Sequence, residues 1–274
     1  MIDSHQHFWR YDEAQYPWIP KGSALHRDGL PQDWQAAAGP IGFESSIAVQ
    51  ARQSLEESRW LLELADVHES IIGVVGWVDL RSERVAEQLA KFAQHPKFVG
   101  VRHVVQDEPD EQFLVRPEFV RGIAALQEFN LAYDLLIFPK QLPAAIELVR
   151  KFPEQRFVLD HIAKPLVKSG IISPWREQIR ELAQSPNVWC KVSGLITEAD
   201  QHAWKPEEFW PYLDIVFESF GVARLMFGSD WPVCLLAGSF EKVHGLVRGY
   251  MGSKCGDEQD KVFAENAMRF YLIR

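Results

Sequence analysis

The stretch Met1-Ile-Asp-Ser-His-Gln-His7 opens the chain as a short apolar strand that carries two imidazoles one residue apart. Side chains alternate across a strand, so Asp3, His5 and His7 are expected to share one face. Two histidines on one face can hold a metal ion or polarise a carbonyl group. A histidine pair at a hydrated chain end also needs no partner, so the interpretation depends on what the rest of the sequence supplies.

Two later apolar runs end in polar residues of the same kind. One run ends at His161, and parity predicts this imidazole on the face of Phe157 and Leu159. The other ends at Asp230, where the Trp-Pro pair that follows forces a turn. Taken singly, they fit a satisfied core histidine and a turn aspartate. Together with the first strand they predict one common site.

Strand-like and helix-like segments alternate along the chain. The strands are predicted at residues 2–5, 46–50, 72–78, 98–103, 131–137, 157–161, 188–192 and 225–228. The helices are predicted at residues 54–65, 84–94, 117–129, 141–151, 174–183, 206–220, 240–251 and 258–272. Ser54 and Glu57 form the pattern of a capping box at the start of the first of these helices. Apolar strands alternating with helices require a parallel sheet.

Eight such units in 274 residues predict an α/β fold, a single domain over residues 1–274 built as one distorted (β/α)8 TIM barrel. No GxGxxG motif follows the first strand, which argues against a dinucleotide-binding fold. The segment 8–41 is rich in Trp, Pro and Gly and shows no clear helix, so we expect a long first loop over the C-terminal mouth. The C-terminal strand ends form the active site in such barrels, which places the predicted site there.

Composition excludes several classes of partner. The formal net charge of −9 and the absence of a basic block argue against binding to nucleic acid or to an anionic membrane. No basic leader and no membrane-length apolar run is present, so a cytoplasmic protein is expected. Cys190, Cys234 and Cys255 are widely spaced and predicted to be plain thiols. Whether the chain forms a homo-oligomer is left open.

The chain resembles the sugar lactonase branch of the amidohydrolase superfamily, whose signature is HxH on the first barrel strand, later histidines and an aspartate on the eighth strand. The resemblance covers the whole chain. That branch includes lactonases acting on fuconolactone, rhamnonolactone and galactonolactone, and one acting on pyrone dicarboxylate. The motifs that carry the resemblance are DSHQHFWRYD at 3–12, VQAR at 49–52, GVRHVVQDEP at 100–109, YDLLI at 133–137, DHIAKP at 160–165, KVSGL at 191–195 and GSDWPV at 228–233.

Two metal ligands of the binuclear members of the superfamily are missing from this sequence. Binuclear members of the superfamily use a carbamylated lysine on the fourth strand and a histidine on the fifth. Here the fourth strand ends in Arg102-His103 and the fifth contains no histidine, so a two-metal site is not expected. We expect a reaction that requires no cofactor. The alternative is a single zinc bound by residues of the predicted site: His5, His7, His161 and Asp230.

The resemblance implies a hydrolase that opens the ester ring of a sugar lactone. Asp230 is predicted to act as general base on water, and His5, His7 and His161 to polarise the carbonyl. The donor of the proton to the leaving oxygen is not assigned. One alternative is a zinc-dependent amidohydrolase or decarboxylase of the same superfamily, and another is a barrel that binds a sugar acid without catalysis.

Substrate contacts are predicted for seven further side chains. Arg102 and His103 lie on opposite faces of their strand, so only one of them should point inward. The small number of clustered arginines favours a polyhydroxy lactone over a dicarboxylate. Surface ion pairs or core packing are the alternative explanation for several of them. The seven are Trp18, Gln50, Arg52, Arg102, His103, Asp134 and Trp231.

Overall fold

Eight parallel strands form a nearly closed barrel in sequential order in the computed structural model, which describes residues 1–254 and 258–273. The strands are β1 Ile2–Gln6, β2 Ser45–Val49, β3 Ile71–Gly76, β4 Phe98–Val104, β5 Ala132–Leu136, β6 Phe157–Leu159, β7 Val188–Val192 and β8 Leu225–Phe227. Closure between the last and first strands uses Ser4 Oγ, which donates to the Phe227 carbonyl at 2.6 Å, and the Asp230 amide, which donates to the His5 carbonyl at 2.8 Å. The predicted TIM barrel is confirmed.

Helices cover the outside of the barrel. They are α1 Pro31–Ala38, α2 Leu55–Val67, α3 Val85–Phe92, α4 Pro117–Glu128, α5 Leu142–Lys151, α6 Trp175–Leu182, α7 Trp210–Phe220, α8 Phe240–Lys254 and α9 Asn266–Tyr271. The helix α1 lies in the segment for which no helix was expected, so that expectation was wrong. Its eight residues are too few to show a clear apolar period, but Pro31 starts it and Trp34 buries it against the barrel.

The barrel interior is apolar at its N-terminal end. Side chains from all eight strands pack there with Phe270 and Tyr271 of α9, which covers that end. The Arg156 guanidinium, just before β6, donates to the Phe270 carbonyl and fixes α9 to the strand ends. A closed apolar base of this kind leaves the C-terminal end of the barrel as the place for polar chemistry.

The segment before α1 packs as a small unit of its own over the C-terminal mouth. Trp9, Tyr16, Ile19 and Leu25 form a separate buried cluster, and Trp9 pairs with Gly29 through two backbone hydrogen bonds of 2.9 and 3.0 Å. The predicted first loop therefore has an apolar core of its own.

Across the described residues, none of the helices has the length and apolar character needed to cross a membrane. Cys190 and Cys234 are buried free thiols, whereas Cys255 lies outside the described residues.

Candidate active site

The pairing of β1 with β2 shifts register between Asp3 and Gln6, and this irregularity separates Asp3 from the two histidines. The Asp3 carboxylate accepts hydrogen bonds from Trp34 Nε1 at 3.0 Å and from the Ser229 amide at 2.8 Å. Simple alternation, which placed Asp3 with His5 and His7, is therefore wrong for this residue. Asp3 instead holds α1 and the segment after β8 against the first strand.

Three strand ends bring four polar side chains together at the C-terminal mouth. Asp230 Oδ1 lies 3.2 Å from His7 Nε2, 3.8 Å from His5 Nε2 and 3.9 Å from His161 Nε2. The Nε2 atoms of His5 and His7 are 3.2 Å apart. All four residues are at most 4% exposed. The structure thus places the predicted cluster in one small volume.

His161 reaches this cluster through an unusual backbone turn. The strand β6 ends at Leu159, and residues 161–164 have φ values of +54°, +49°, +59° and +47°. Left-handed backbone costs an L-residue roughly 1–2 kcal/mol, so four in succession mark a position held by its surroundings. Continued strand parity would have kept the imidazole on the outer face with Phe157 and Leu159; the turn carries it into the mouth instead.

The neighbouring strand β7 provides the seat for this imidazole. Ser193 Oγ lies 2.9 Å from His161 Nδ1. Gly194, at φ +59°, is pressed against the same ring, and a Cβ there would lie 2.5 Å from His161 Nδ1. Sequence reasoning did not identify Ser193 or Gly194, because neither is recognisable until the left-handed turn is known.

Both ring nitrogens of His7 face hydrogen-bond acceptors. His7 Nδ1 lies 2.8 Å from the Val49 carbonyl, which can only accept a hydrogen bond, so this nitrogen carries a proton. His7 Nε2 faces the Asp230 carboxylate, another acceptor. Both contacts are satisfied when His7 is protonated on each nitrogen or when a cation lies between Nε2 and Oδ1.

A buried layer of charge lies beneath the histidines. His5 Nδ1 is 3.3 Å from Asp160 Oδ1 and 3.1 Å from Lys191 Nζ, and Lys191 also pairs with Asp134 at 2.5 Å. Arg102 Nη1 lies 3.1 Å from Asp160 Oδ2 and 3.2 Å from His5 Nε2. Sequence reasoning missed the role of Asp160 in this layer. Its position directly before His161, at the end of an apolar strand, is the signal that could have found it.

The protonation states follow from burial and neighbours. Burial opposes ionisation of Asp230, but His161, His7 and His5 together lower the pKa of its carboxyl well below the ordinary range. Burial lowers the pKa of His161 to about 4, although Asp230 opposes this shift. Burial likewise lowers the pKa of His5, against the attraction of Asp160. At neutral pH Asp230 is therefore an ionised base and His161 a neutral imidazole.

Three members of the cluster, His7, His161 and Asp230, line a cavity of about 680 Å³, which is large enough for a monosaccharide-sized ligand, and His5 lies buried behind them. Of the predicted substrate contacts, Trp18, Arg52 and Arg102 line it. Lys164 and Glu198 also line it and were not predicted. Their ammonium and carboxylate groups are 3.9 Å apart, and burial raises the pKa of Glu198.

The other four predicted contacts lie outside the cavity lining. Gln50 is buried behind Arg102 and accepts its guanidinium hydrogen bonds, one at 2.8 Å. His103 lies on the opposite face of β4, where it stacks on Phe113 and bonds Glu108 at 2.7 Å. Strand alternation had predicted that only one of Arg102 and His103 points inward, and Arg102 is that residue.

The remaining two of these residues are held by other partners. Asp134 is fully buried and paired with Lys191. Trp231 is 2% exposed and packs in the core beside Phe8. Both residues contribute to the scaffold under and around the mouth.

The ligand atoms of His5, His161 and Asp230 lie within 4.8 Å of one another, and this donor set fits a single divalent ion. His7 Nε2, 3.2 Å from Asp230 Oδ1, lies close enough to add a further nitrogen ligand. The Arg102 guanidinium beside His5 opposes metal binding, because a fixed cation repels a metal.

A parallel barrel with histidines and an aspartate converging at its C-terminal mouth defines the class of barrel enzymes that act at their strand ends. The amidohydrolase family model matches residues 2–273, and the chain belongs to that family. The resemblance drawn from the sequence motifs is confirmed.

Two curated relatives have the same name. The L-fucono-1,5-lactonase of Burkholderia multivorans is 42% identical over 284 residues, covering 99% of this chain and 96% of that protein. The L-fucono-1,5-lactonase of Burkholderia ambifaria is 38% identical over 280 residues, covering 99% and 95%. A crystal structure of an amidohydrolase from Burkholderia multivorans with bound zinc has a TM-score of 0.96 and 41% identity, covering 100% of this chain and 99% of that one.

Proposed function

We propose that this protein hydrolyses an L-fuconolactone-like sugar lactone to the corresponding aldonic acid. The observation that carries the proposal is the contact of an ionised Asp230 with three imidazoles, at 3.2 to 3.9 Å, beside a cavity of sugar size. The names of the two Burkholderia relatives support the substrate class.

In the proposed mechanism, Asp230 accepts a proton from water as the water oxygen attacks the lactone carbonyl carbon. The lowered pKa of Asp230 keeps its carboxylate ionised at neutral pH but makes it a weak base, so it takes up the proton only as the water oxygen bonds to the carbonyl carbon. The tetrahedral intermediate then collapses with cleavage of the bond between that carbon and the ring oxygen, and the ring oxygen takes up the proton held by Asp230. We assign Ser193 as the donor to His161 Nδ1, the tautomer that places the ring proton on Nε2. That N–H stabilises the oxyanion that forms on the carbonyl oxygen.

The buried layer beneath keeps these groups in place. Asp160 and Lys191 hold the Nδ1 side of His5, and Arg102 provides a fixed positive charge beside its Nε2. Fixed charges in a water-poor site stabilise a developing oxyanion without reorganisation. His5 and Arg102 therefore act with His161 on the carbonyl oxygen, which is consistent with a reaction that needs no cofactor.

A second candidate, a zinc-dependent amidohydrolase, is favoured by the donor set of His5, His161 and Asp230. Zinc held by these residues would polarise the carbonyl and acidify a water molecule. The zinc-bound relative supports this candidate. A barrel that binds sugar acids without catalysis is the third, and activity measurements separate it from both.

The decisive experiment follows acid release with a pH indicator over a panel of aldonolactones, with and without a chelator, alongside metal analysis of the purified protein. Turnover of L-fuconolactone that survives complete metal removal supports the metal-free lactonase. Turnover that disappears with the metal and returns with added zinc supports the second candidate. Sugar-acid binding without acid release from any lactone, and with Asp230→Asn binding like the wild type, refutes catalysis.

A further inference from the structure

We infer that Glu57 is a positioning residue: its buried carboxylate clamps the first loop to the turn after β2 and thereby fixes Trp18 and Arg52 at the cavity. The inference rests on the proposed function for its kinetic consequence. Its structural part does not, and the two parts are tested separately below.

The capping pattern at the start of α2 forms only in part. Ser54 Oγ accepts from the amides of Glu56 at 3.1 Å and Glu57 at 3.3 Å, as a helix cap does. The side chain of Glu57 does not return to Ser54. Its Oε2 accepts from the amides of Ala51 at 3.0 Å and Arg52 at 2.9 Å.

The other oxygen of the same carboxylate reaches the first loop. Tyr16 Oη donates to Glu57 Oε1 at 3.1 Å, and Glu57 is 1% exposed. Burying a carboxylate costs free energy unless its oxygens accept hydrogen bonds. Here they accept hydrogen bonds from three donors in two separate segments. Because Ser54 already caps the start of α2, helix capping does not explain why the Glu57 carboxylate is buried. Its role in joining the turn after β2 to the first loop does explain it.

Both joined segments line the cavity. Trp18 donates its Nε1 proton to the Ala51 carbonyl at 3.1 Å, so this indole is tied to the turn whose amides Glu57 holds. The Arg52 guanidinium lies 5.7 Å from the centre of the Tyr16 ring. Arg52 lines the cavity, and its backbone amide is held by Glu57. An arginine positioned in this way can offer its guanidinium donors to a hydroxyl oxygen of a ligand.

Trp18 and Arg52 form one wall of the cavity beside the catalytic cluster, and neither residue belongs to that cluster. Trp18 offers a flat apolar face and Arg52 offers hydrogen-bond donors, a pairing that fits the carbon face and hydroxyl groups of a sugar. The clamp should therefore affect how tightly the non-reacting part of the substrate binds, and leave the chemistry at Asp230 unchanged.

The kinetic test compares Glu57→Ala, Glu57→Gln and the neighbouring Glu56→Ala with the wild type on L-fuconolactone. Glu57→Ala should raise KM at least tenfold and change kcat less than threefold. Glu57→Gln keeps an oxygen for the two amides and should stay within threefold of the wild type in both constants. Glu56→Ala, an exposed carboxylate one residue away, should change neither. An unchanged KM in Glu57→Ala, or a loss confined to kcat, overturns the assignment.

A second set of variants guards against misfolding. Arg52→Met should show the same selective rise in KM, and the double variant Glu57→Ala/Arg52→Met should be no worse than the worse single variant, because both changes remove one wall. Additive losses in the double variant contradict a shared role. Circular dichroism establishes whether each variant is folded.

Hydrogen exchange tests the clamp without any turnover. The amides of Ala51 and Arg52, which donate directly to Glu57, should exchange at least tenfold faster in Glu57→Ala and at the wild-type rate in Glu56→Ala. If the protein hydrolyses no lactone while the exchange result holds, the proposed function fails and the clamp stands. If lactone hydrolysis holds while exchange is unchanged, the clamp fails alone.

Discussion

Replacing Lys191 by Met tests the buried layer of charge beneath the candidate active site. The Lys191 ammonium is completely buried and lies 2.5 Å from Asp134, 3.1 Å from Asp160 and 3.1 Å from His5 Nδ1. Methionine has a similar length, so the change removes the charge with little loss of packing. What remains is two buried carboxylates that have lost their common cation.

The expected loss follows from what each carboxylate retains. Asp160 keeps Arg102 at 3.1 Å, whereas Asp134 keeps only the hydroxyl of Tyr271 at 2.8 Å. Burial raises the pKa of Asp134 to about 6 even with Lys191 opposing the shift, so without the lysine Asp134 takes up a proton at neutral pH. Removing one partner of a buried ion pair costs about 3–5 kcal/mol, and this protonation places the loss near the lower end.

Urea denaturation followed by tryptophan fluorescence measures the change. With a typical urea dependence of about 2–3 kcal/mol per molar, the midpoint should fall by roughly 1–2 M. The variant Lys191→Met/Asp134→Asn should recover part of the loss, because it removes the stranded carboxylate. Lys168→Met, which breaks an exposed pair with Asp200, is the control and should leave the midpoint unchanged. A loss below about 1 kcal/mol in Lys191→Met, or no recovery in the double variant, would refute the assignment of this layer as a structural support.

Three further outcomes are expected. Asp230→Asn and His161→Asn should each lower kcat/KM on L-fuconolactone at least about 100-fold, while the exposed control Asp200→Asn changes it less than twofold; equal effects would exclude Asp230 and His161 from catalysis. Gly194→Ala should lower the turnover rate more than the stability of the fold, because the alanine Cβ would lie 2.5 Å from His161 Nδ1. The indicator assay measures the change in turnover, and thermal melting measures the change in stability. Burial raises the pKa of Glu57 from 4.5 to about 7, so as the pH rises Glu57 ionises first in the unfolded chain, and the free energy of unfolding of the wild type falls. Relative to the wild type, the free energy of unfolding of Glu57→Gln should therefore increase by up to about 3 kcal/mol between pH 4.5 and 8, as measured by urea titrations. A difference that stays constant with pH would contradict the shift.

The barrel and the residues of the cluster could be predicted because they depend on local signals. Apolar runs alternating with amphipathic segments define strands and helices, and a polar residue at the end of a buried strand marks the C-terminal mouth. His5, His7 and Asp230 needed nothing more. The helix α1 was not predicted because its eight residues form too few turns to show a clear helical period of apolar residues.

What could not be predicted depends on backbone geometry and on contacts across the barrel. Alternation predicted His161 on the face of Phe157 and Leu159, whereas the left-handed turn after β6 directs its imidazole into the cluster at the mouth. The register shift in β1 removed Asp3 from the cluster in the same way. Asp160 and Lys191 are separated by 31 residues of sequence, and only a closed barrel brings them to the same histidine.

The sum of charges under the cavity explains why metal content is the central question for this site. At neutral pH Arg102 and Lys191 provide two positive charges, and Asp134, Asp160 and Asp230 provide three negative ones, with His161 neutral. These groups together therefore have a net charge of −1. The place for one more positive charge is the contact between His7 Nε2 and Asp230 Oδ1. A metal ion bound there would supply that charge and more, whereas in a metal-free hydrolase the Asp230 carboxylate would be stabilised by its contacts with the imidazoles alone. Metal removal therefore separates the two chemistries.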